Sequence, residues 1–351
     1  MNSTPEIFLS TSNFVKGLLI SGAEKLLMPS FSFVEPRLPT YRLIKYIQKQ
    51  SNWHENTLGI YQARDGKEVV IKTLLYQTRN LAFRQILNEV SMLKIVNSLS
   101  RKAVKGGRAS IRTPRLIGVI VRPEQVSIVQ EYVRGKILRD HNPKKRLEVM
   151  KRALDTWHKA SEHIPAEDLK NLPVRKRIPM FFYFFVYALL AALKHPKKLA
   201  LLSRGTIQFY GSYFSLASLK KASYILAHKD IHSRNIIITK AGQVAILDLQ
   251  VSVLSEPATD IAVIALRHFG EVGSDDLMSF LTDILQTDAE KRDFQRLALY
   301  YAFQLLAFTS RKSEDNQDAL DFLRGMETKI LPSLTGRKAI LSRSIAEGVS
   351  R

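Results

Sequence analysis

The sequence contains no cysteine. Disulfides and thiolate metal sites are therefore excluded, and a reducing compartment suits the chain. Its eight histidines are scattered, with no HExxH or other paired ligand spacing, so no structural zinc site is expected. The opening MNSTPEIFLS has no positively charged stretch and carries Glu6, so no secretory leader is expected. The uncharged run Ile178–Leu193 (IPMFFYFFVYALLAAL) is 16 residues long, short of the roughly 17 residues that a spanning helix needs at minimum. Acidic residues are missing from Leu169 to Ala222. That stretch holds ten basic residues instead: Lys170, Arg175, Lys176, Arg177, Lys194, Lys197, Lys198, Arg204, Lys220 and Lys221.

What is present reads as a folded protein. With 351 residues, 45% hydrophobic and 24% charged, the chain can bury one large or two small cores. A net charge of +21 calls for an anionic partner: a nucleotide, a nucleic acid or an acidic membrane surface. Nucleic acid is disfavoured, because the aromatics of 181–187 are contiguous rather than interleaved with basic residues.

Residues 1–40 read as an N-terminal extension, with an amphipathic helix at Phe14–Met28. Period-two patterning then predicts strands at Tyr41–Gln48, Thr57–Ala63 and Glu68–Leu74, the last two joined by an Asp65-Gly66 hairpin turn. Leu81–Val96 has apolar residues at helical spacing, and strands follow at Arg115–Val121 and Gln125–Tyr132. Beyond Gly135 the chain reads as mainly helical: Pro143–His163, the basic and apolar region to 205, Tyr210–Ala227, then 257–269, 274–286, 289–309 and 315–328. A short strand-turn-strand unit, Ile236–Thr239 and Val244–Leu247, interrupts the helices.

The densest chemistry lies in Ala227–Gln250, AHKDIHSRNIIITKAGQVAILDLQ. Phosphoryl transfer needs a carboxylate to orient or deprotonate the attacking hydroxyl, and oxygen ligands to hold Mg²⁺ against the nucleotide phosphates. Asp230 suits the first role. Asn235, five residues on, and Asp248, thirteen further, suit the second. A chance loop with acidic residues is the bland alternative, disfavoured because several spacings agree.

This segment resembles the catalytic loop of the protein-kinase-like superfamily. His232, where protein kinases carry lysine, resembles the aminoglycoside phosphotransferase and choline kinase branch. So do Asp248 in Leu-Asp-Leu-Gln and the downstream Ser255-Glu256-Pro257-Ala258-Thr259-Asp260-Ile261-Ala262. The resemblance implies that Asp260 braces the loop and that His228 supports it. It also places Lys72, in Val69-Val70-Ile71-Lys72, on the nucleotide phosphates, with Glu89, 17 residues later, as its partner. Val129–Gly135 resembles the hinge, where backbone groups of Glu131 and Val133 would meet adenine. One departure stands out: Lys49–Asn56 has no glycine, so the glycine-rich phosphate cover of protein kinases is absent, and Ser51 and Asn52 are the residues left to supply donors.

The expected fold is α+β, a bilobal protein-kinase-like fold. Residues 41–133 form a small antiparallel sheet lobe that binds nucleotide, and 134–351 a larger helical catalytic lobe with a basic, apolar insertion at about 163–205. The expected activity is ATP- and Mg²⁺-dependent transfer of the γ-phosphoryl group to a hydroxyl of a small-molecule or lipid-linked acceptor, a glycolipid included. The alternatives are a protein Ser/Thr kinase and a membrane-docked pseudokinase scaffold. A cytoplasmic location is expected, peripheral at the inner face of the membrane if residues 169–205 meet an anionic surface. The competing reading buries Phe181–Leu193 inside the helical lobe.

Overall fold

The computed structural model describes residues 35–49, 56–75, 80–105, 112–169, 172–174, 177–213, 224–309 and 313–335. The expected helix at Phe14–Met28 and residues 50–55 of the glycine-free loop lie outside them. The chain forms two compact units: residues 1–135 with 239–251, and residues 136–238 with 252–351.

The first unit is built on five antiparallel strands: β1 Tyr41–Gln48, β2 Asn56–Ala63, β3 Glu68–Leu75, β4 Leu116–Arg122 and β5 Gln125–Glu131, in the order β1-β2-β3-β5-β4. The β2–β3 turn works because Gly66 adopts φ +80°, a conformation open to glycine, and its N–H donates to Ala63 O. β3 lies between β2 and β5, with Lys72 opposite Leu58 on one side and Ile128 on the other. Leu38, Tyr61, Val69, Ile71 and Val129 form a buried cluster of this unit. Helix α1, Asn80–Lys105, packs on β3 and β4. Strand β9, Val244–Ile246, is tied in where Ile246 N–H donates to Arg112 O at 2.9 Å.

The second unit is mainly helical. Its helices are α2 Pro143–Ser161, α3 Arg177–Lys194, α4 Leu199–Tyr213, α5 Ala258–His268, α6 Ser274–Ile284, α7 Asp288–Phe308 and α8 Glu314–Gly325. Helix starts follow local chemistry. Asn142 caps α2 ahead of Pro143, Thr287 and Glu290 close a capping box on α7, and Ser313 caps α8. Helix α7 is central, packing against α3, α4, α5 and α8. Trp157, Phe184, Phe209, Phe294 and Phe303 are fully buried, with Phe184 stacked on Phe209 at 3.6 Å between ring centroids.

One expected element is wrong. The helix at Tyr210–Ala227 does not run through: α4 ends at Tyr213, residues 214–223 are outside those described, and Ile225–Ala227 is strand β7. β7 pairs antiparallel with β10, Val253–Ser255. A partner 28 residues away overrides the local helical pattern, a cause no short window can show. The loop that holds Asp230 is flanked in sequence by β7 and by β8, Ile236–Thr239, and a further short strand, β6, is Gly135–Ile137.

Candidate active site

Lys72 reaches the site from the middle of β3. Its Nζ lies 2.8 Å from Glu89 Oε2, 2.9 Å from Asp248 Oδ1 and 3.1 Å from Gln250 Oε1. Lys72 and Glu89 are almost fully buried, while Asp248 keeps 29% of its side chain exposed. Burial alone would lower the Lys72 pKa; the carboxylates of Asp248 and Glu89 outweigh it and hold the ammonium above its ordinary range. Burial pushes the Glu89 carboxyl up, against the pull of Lys72 and of Gln130, whose Nε2 donates to Glu89 Oε1 at 3.0 Å. The segment carrying Asp248 is fixed from α1, where Asn88 Nδ2 donates to Gln250 O at 2.9 Å.

Asp248 itself adopts φ +58°. Among the described residues only one other non-glycine residue, Lys229 at φ +65°, shares that left-handed conformation. Both positions adjoin or carry an expected site residue. Strained backbone of this kind costs of order 1–3 kcal/mol and persists where the surroundings over-determine it.

The second unit holds Asp230 in a loop clamped by backbone hydrogen bonds. Asp260, at the start of α5 and fully buried, accepts from His228 N at 3.1 Å and from Lys229 N at 2.7 Å. His158 Nε2 lies 3.3 Å from the same carboxylate. His228 is buried edge-on to Trp157, and its Nδ1 accepts from Asp230 N. Asn235 Nδ2 donates to both the carbonyl and Oδ2 of Asp230, at 2.9 and 3.1 Å. His232 Nδ1 accepts from Arg234 N, so its proton sits on Nε2, 3.5 Å from Asp230 Oδ1. Burial would raise the Asp230 carboxyl, but His232, Arg267 and His228 outweigh it and push it down to about 2.

The remaining expected residues stand apart. The Glu131 carboxylate is engaged by Arg112 at 2.6 Å and Arg115 at 3.3 Å, and its N–H donates to Arg115 O. Val133 is buried in the same unit.

Three features escaped the sequence reading. Gln250 and Gln130 extend the Lys72 network, and a glutamine beside a motif carries no signal of its own. A buried ion pair joins Arg296 to Glu256, with Asp293 at 2.9 Å. The third is a relay on the Asp230 loop. The Ser233 peptide is held at both ends, its N–H by His268 Nε2 at 3.3 Å and its carbonyl by Arg139 N at 3.0 Å. His268 Nδ1 meets Glu271 at 2.9 Å, and Glu271 meets Arg146 at 3.1 Å. Accepting from Ser233 requires a neutral His268 with its proton on Nδ1. Burial lowers its pKa, with the charge of Arg146 acting the same way and Glu271 opposing.

Among the described residues no group of three His, Asp or Glu could hold a metal by itself.

No curated protein matches the sequence. Among solved structures, the chain is similar to an aminoglycoside phosphotransferase from Alicyclobacillus acidocaldarius (13% identity, 86% of this chain and 96% of that one, TM-score 0.57). It is also similar to a choline kinase from Cryptosporidium parvum (12%, 91% and 96%, TM-score 0.54). A third is spectinomycin phosphotransferase in complex with ADP and spectinomycin (15%, 80% and 88%, TM-score 0.51). These likenesses establish the fold as kinase-like, of the aminoglycoside phosphotransferase type. Residues 72–300, from the β3 lysine into α7, match the phosphotransferase enzyme family over well over half of the sequence, and the chain belongs to that family, an enzyme of the kinase class that phosphorylates a hydroxyl acceptor.

Proposed function

We propose that the chain transfers the γ-phosphoryl group of ATP, with Mg²⁺, to a hydroxyl of a small-molecule or lipid-linked acceptor, a glycolipid among them, at the cytoplasmic face of a membrane. The observation that carries this reading is the buried Lys72–Glu89 pair in contact with Asp248, in a chain that also presents an ionised Asp230 tied to Asn235.

Lys72, held extended by Glu89, binds the α- and β-phosphates as a fixed positive charge. Asn235 Oδ1 and the carboxylate of Asp248 are the ligands for Mg²⁺, which when bound neutralises charge on the phosphates. Asp230 orients the acceptor hydroxyl and takes its proton; a carboxylate with a pKa of about 2 is a weak base, so orientation is the larger part of its work. The carbonyl of Glu131 and the backbone of Val133 receive the adenine. Asp260 and His228 keep the loop in shape. Support for a nucleotide comes from the spectinomycin phosphotransferase complex with ADP, and support for small hydroxylated acceptors from that protein and the choline kinase.

The test is ATP consumption by the purified protein against sugars, aminoglycosides, choline-like alcohols and membrane glycolipids, each with and without EDTA. Acceptor-dependent, EDTA-sensitive turnover with at least one class is expected. Nucleotide binding without turnover on any of them would reject the reading in favour of a scaffold.

A further inference from the structure

Helix α3 divides its apolar run into two stripes. One stripe, Met180, Phe184, Tyr187 and Ala191, is buried. Phe184 meets Phe303 of α7 and Tyr187 meets Tyr300, at 4.9 and 5.3 Å between ring centroids. The other stripe, Phe182, Phe185, Leu189 and Leu193, recurs at the spacing of a single helix face and points to solvent, with Phe185 61% and Leu193 68% exposed. Across the turn at Pro196–Lys198, helix α4 adds Leu199 and Ile207, the latter 70% exposed. No helix among the described residues is long and apolar enough to cross a membrane.

The charges around this hairpin divide as well. Lys194 is committed internally: its Nζ donates to the carbonyls of Leu306, Ala307 and Thr309 and closes the C-terminal end of α7. Arg204 is paired with Glu327 at 2.6 Å. Lys197 and Lys198, both exposed, occupy the turn between Leu193 and Leu199. Arg175–Arg177 precede the stripe in sequence, and no acidic residue occurs between 169 and 222.

We infer that the outer face of the α3–α4 hairpin docks on an anionic lipid surface, with Phe182, Phe185, Leu189, Leu193, Leu199 and Ile207 at the headgroup boundary and Lys197 and Lys198 among the headgroups. Charge complementarity selects this occupant. A second copy would bring the same basic turn and another +21 against the first, whereas an anionic bilayer offers apolar depth and negative charge together. The inference deepens the membrane part of the proposed function and says which surface faces the lipid. It narrows the basic residues of 169–205 to those not already spent inside the fold.

The test is co-sedimentation of the full chain with vesicles of phosphatidylglycerol and phosphatidylcholine (about 1:3) at low salt, beside pure phosphatidylcholine. The native protein is expected to bind the anionic vesicles and to lose binding as salt rises. F185D/L189D is expected to abolish binding, and K197Q/K198Q to weaken it about thirtyfold. Both variants change exposed side chains, so each is expected to melt with the native protein. Indifference of the native protein to anionic vesicles would overturn the inference, as would native-like vesicle binding by F185D/L189D. Sedimentation of the native protein as a dimer that F185D/L189D dissociates would assign the face to a second copy instead. Turnover on water-soluble acceptors, measured without vesicles, reports the phosphotransfer reading separately.

Discussion

The two groups of expected site residues, one in each unit, are held by different physics. Around Lys72 the contacts run between side chains, a buried ammonium shared by two carboxylates and a glutamine amide oxygen. Around Asp230 they run from backbone to side chain, with peptide N–H groups of residues 228, 229, 230 and 233 each received by a buried or half-buried acceptor. The first arrangement fixes a charge. The second fixes a main-chain path, and so the direction in which a carboxylate points. The Lys72 cluster should therefore answer to changes of charge, and the Asp230 loop to the loss of the acceptors that receive its peptide N–H groups.

Asp248→Ala tests the first group most severely. It removes the proposed metal ligand and one of the two carboxylates on Lys72, and turnover is expected to fall by at least about 10³-fold. Steady-state kinetics at saturating Mg²⁺ check this, and surviving turnover would remove Asp248 from its role. Asp230→Asn should lower kcat by about 10²–10⁴-fold while leaving the KM for ATP nearly unchanged, because in the proposed function its side chain acts on the acceptor. A large rise in that KM with kcat intact would erase the distinction between the groups.

His268 offers a finer test. Asp230, with a pKa of about 2, stays ionised in any assay above about pH 4, so it cannot supply an acid limb nearer neutrality. His268 titrates below its ordinary 6.5, and once protonated it can no longer accept from Ser233 N–H. A folded-state pKa lowered in this way stabilises the loop fully above pH 6.5, and the contribution is lost as pH falls through the folded value. The profile of kcat between pH 5 and 8 should therefore fall on the acid side in the native enzyme. His268→Gln, whose amide oxygen still accepts a hydrogen bond, is expected to flatten that fall, and His268→Ala to lower kcat about tenfold at all pH values. An unchanged acid limb in His268→Gln would place the titration elsewhere.

How much of this could be read beforehand follows the same division. The five strands of the first unit lie within a residue or so of their expected limits, because alternation and an Asp-Gly turn are local signals. Lys72, Asp230, Asn235 and Asp248 were singled out through the spacing of motifs, and the structure sets Lys72 against Asp248 and Asn235 against Asp230. Ile225–Ala227 was misread as helix, because only its pairing with Val253–Ser255 makes it a strand. His268 and Gln250 were invisible: their importance comes from where the fold carries them. The run at 178–193 was undecidable, since a helix that is apolar all round does not say which side the protein covers.

Lys229 acts as a loaded spring, and Asp260 as its latch. The residue is wound into φ +65° so that its N–H and that of His228 can both reach one carboxylate. Releasing the latch lets the spring unwind, and Asp230, the next residue, is swung with it. Asp260→Asn should then cost more than the hydrogen bonds it weakens. Lys229→Gly slackens the spring, since glycine takes positive φ without penalty. The same latch mutation made in that background should cost less kcat, and the shortfall measures in free energy how tightly the turn is wound.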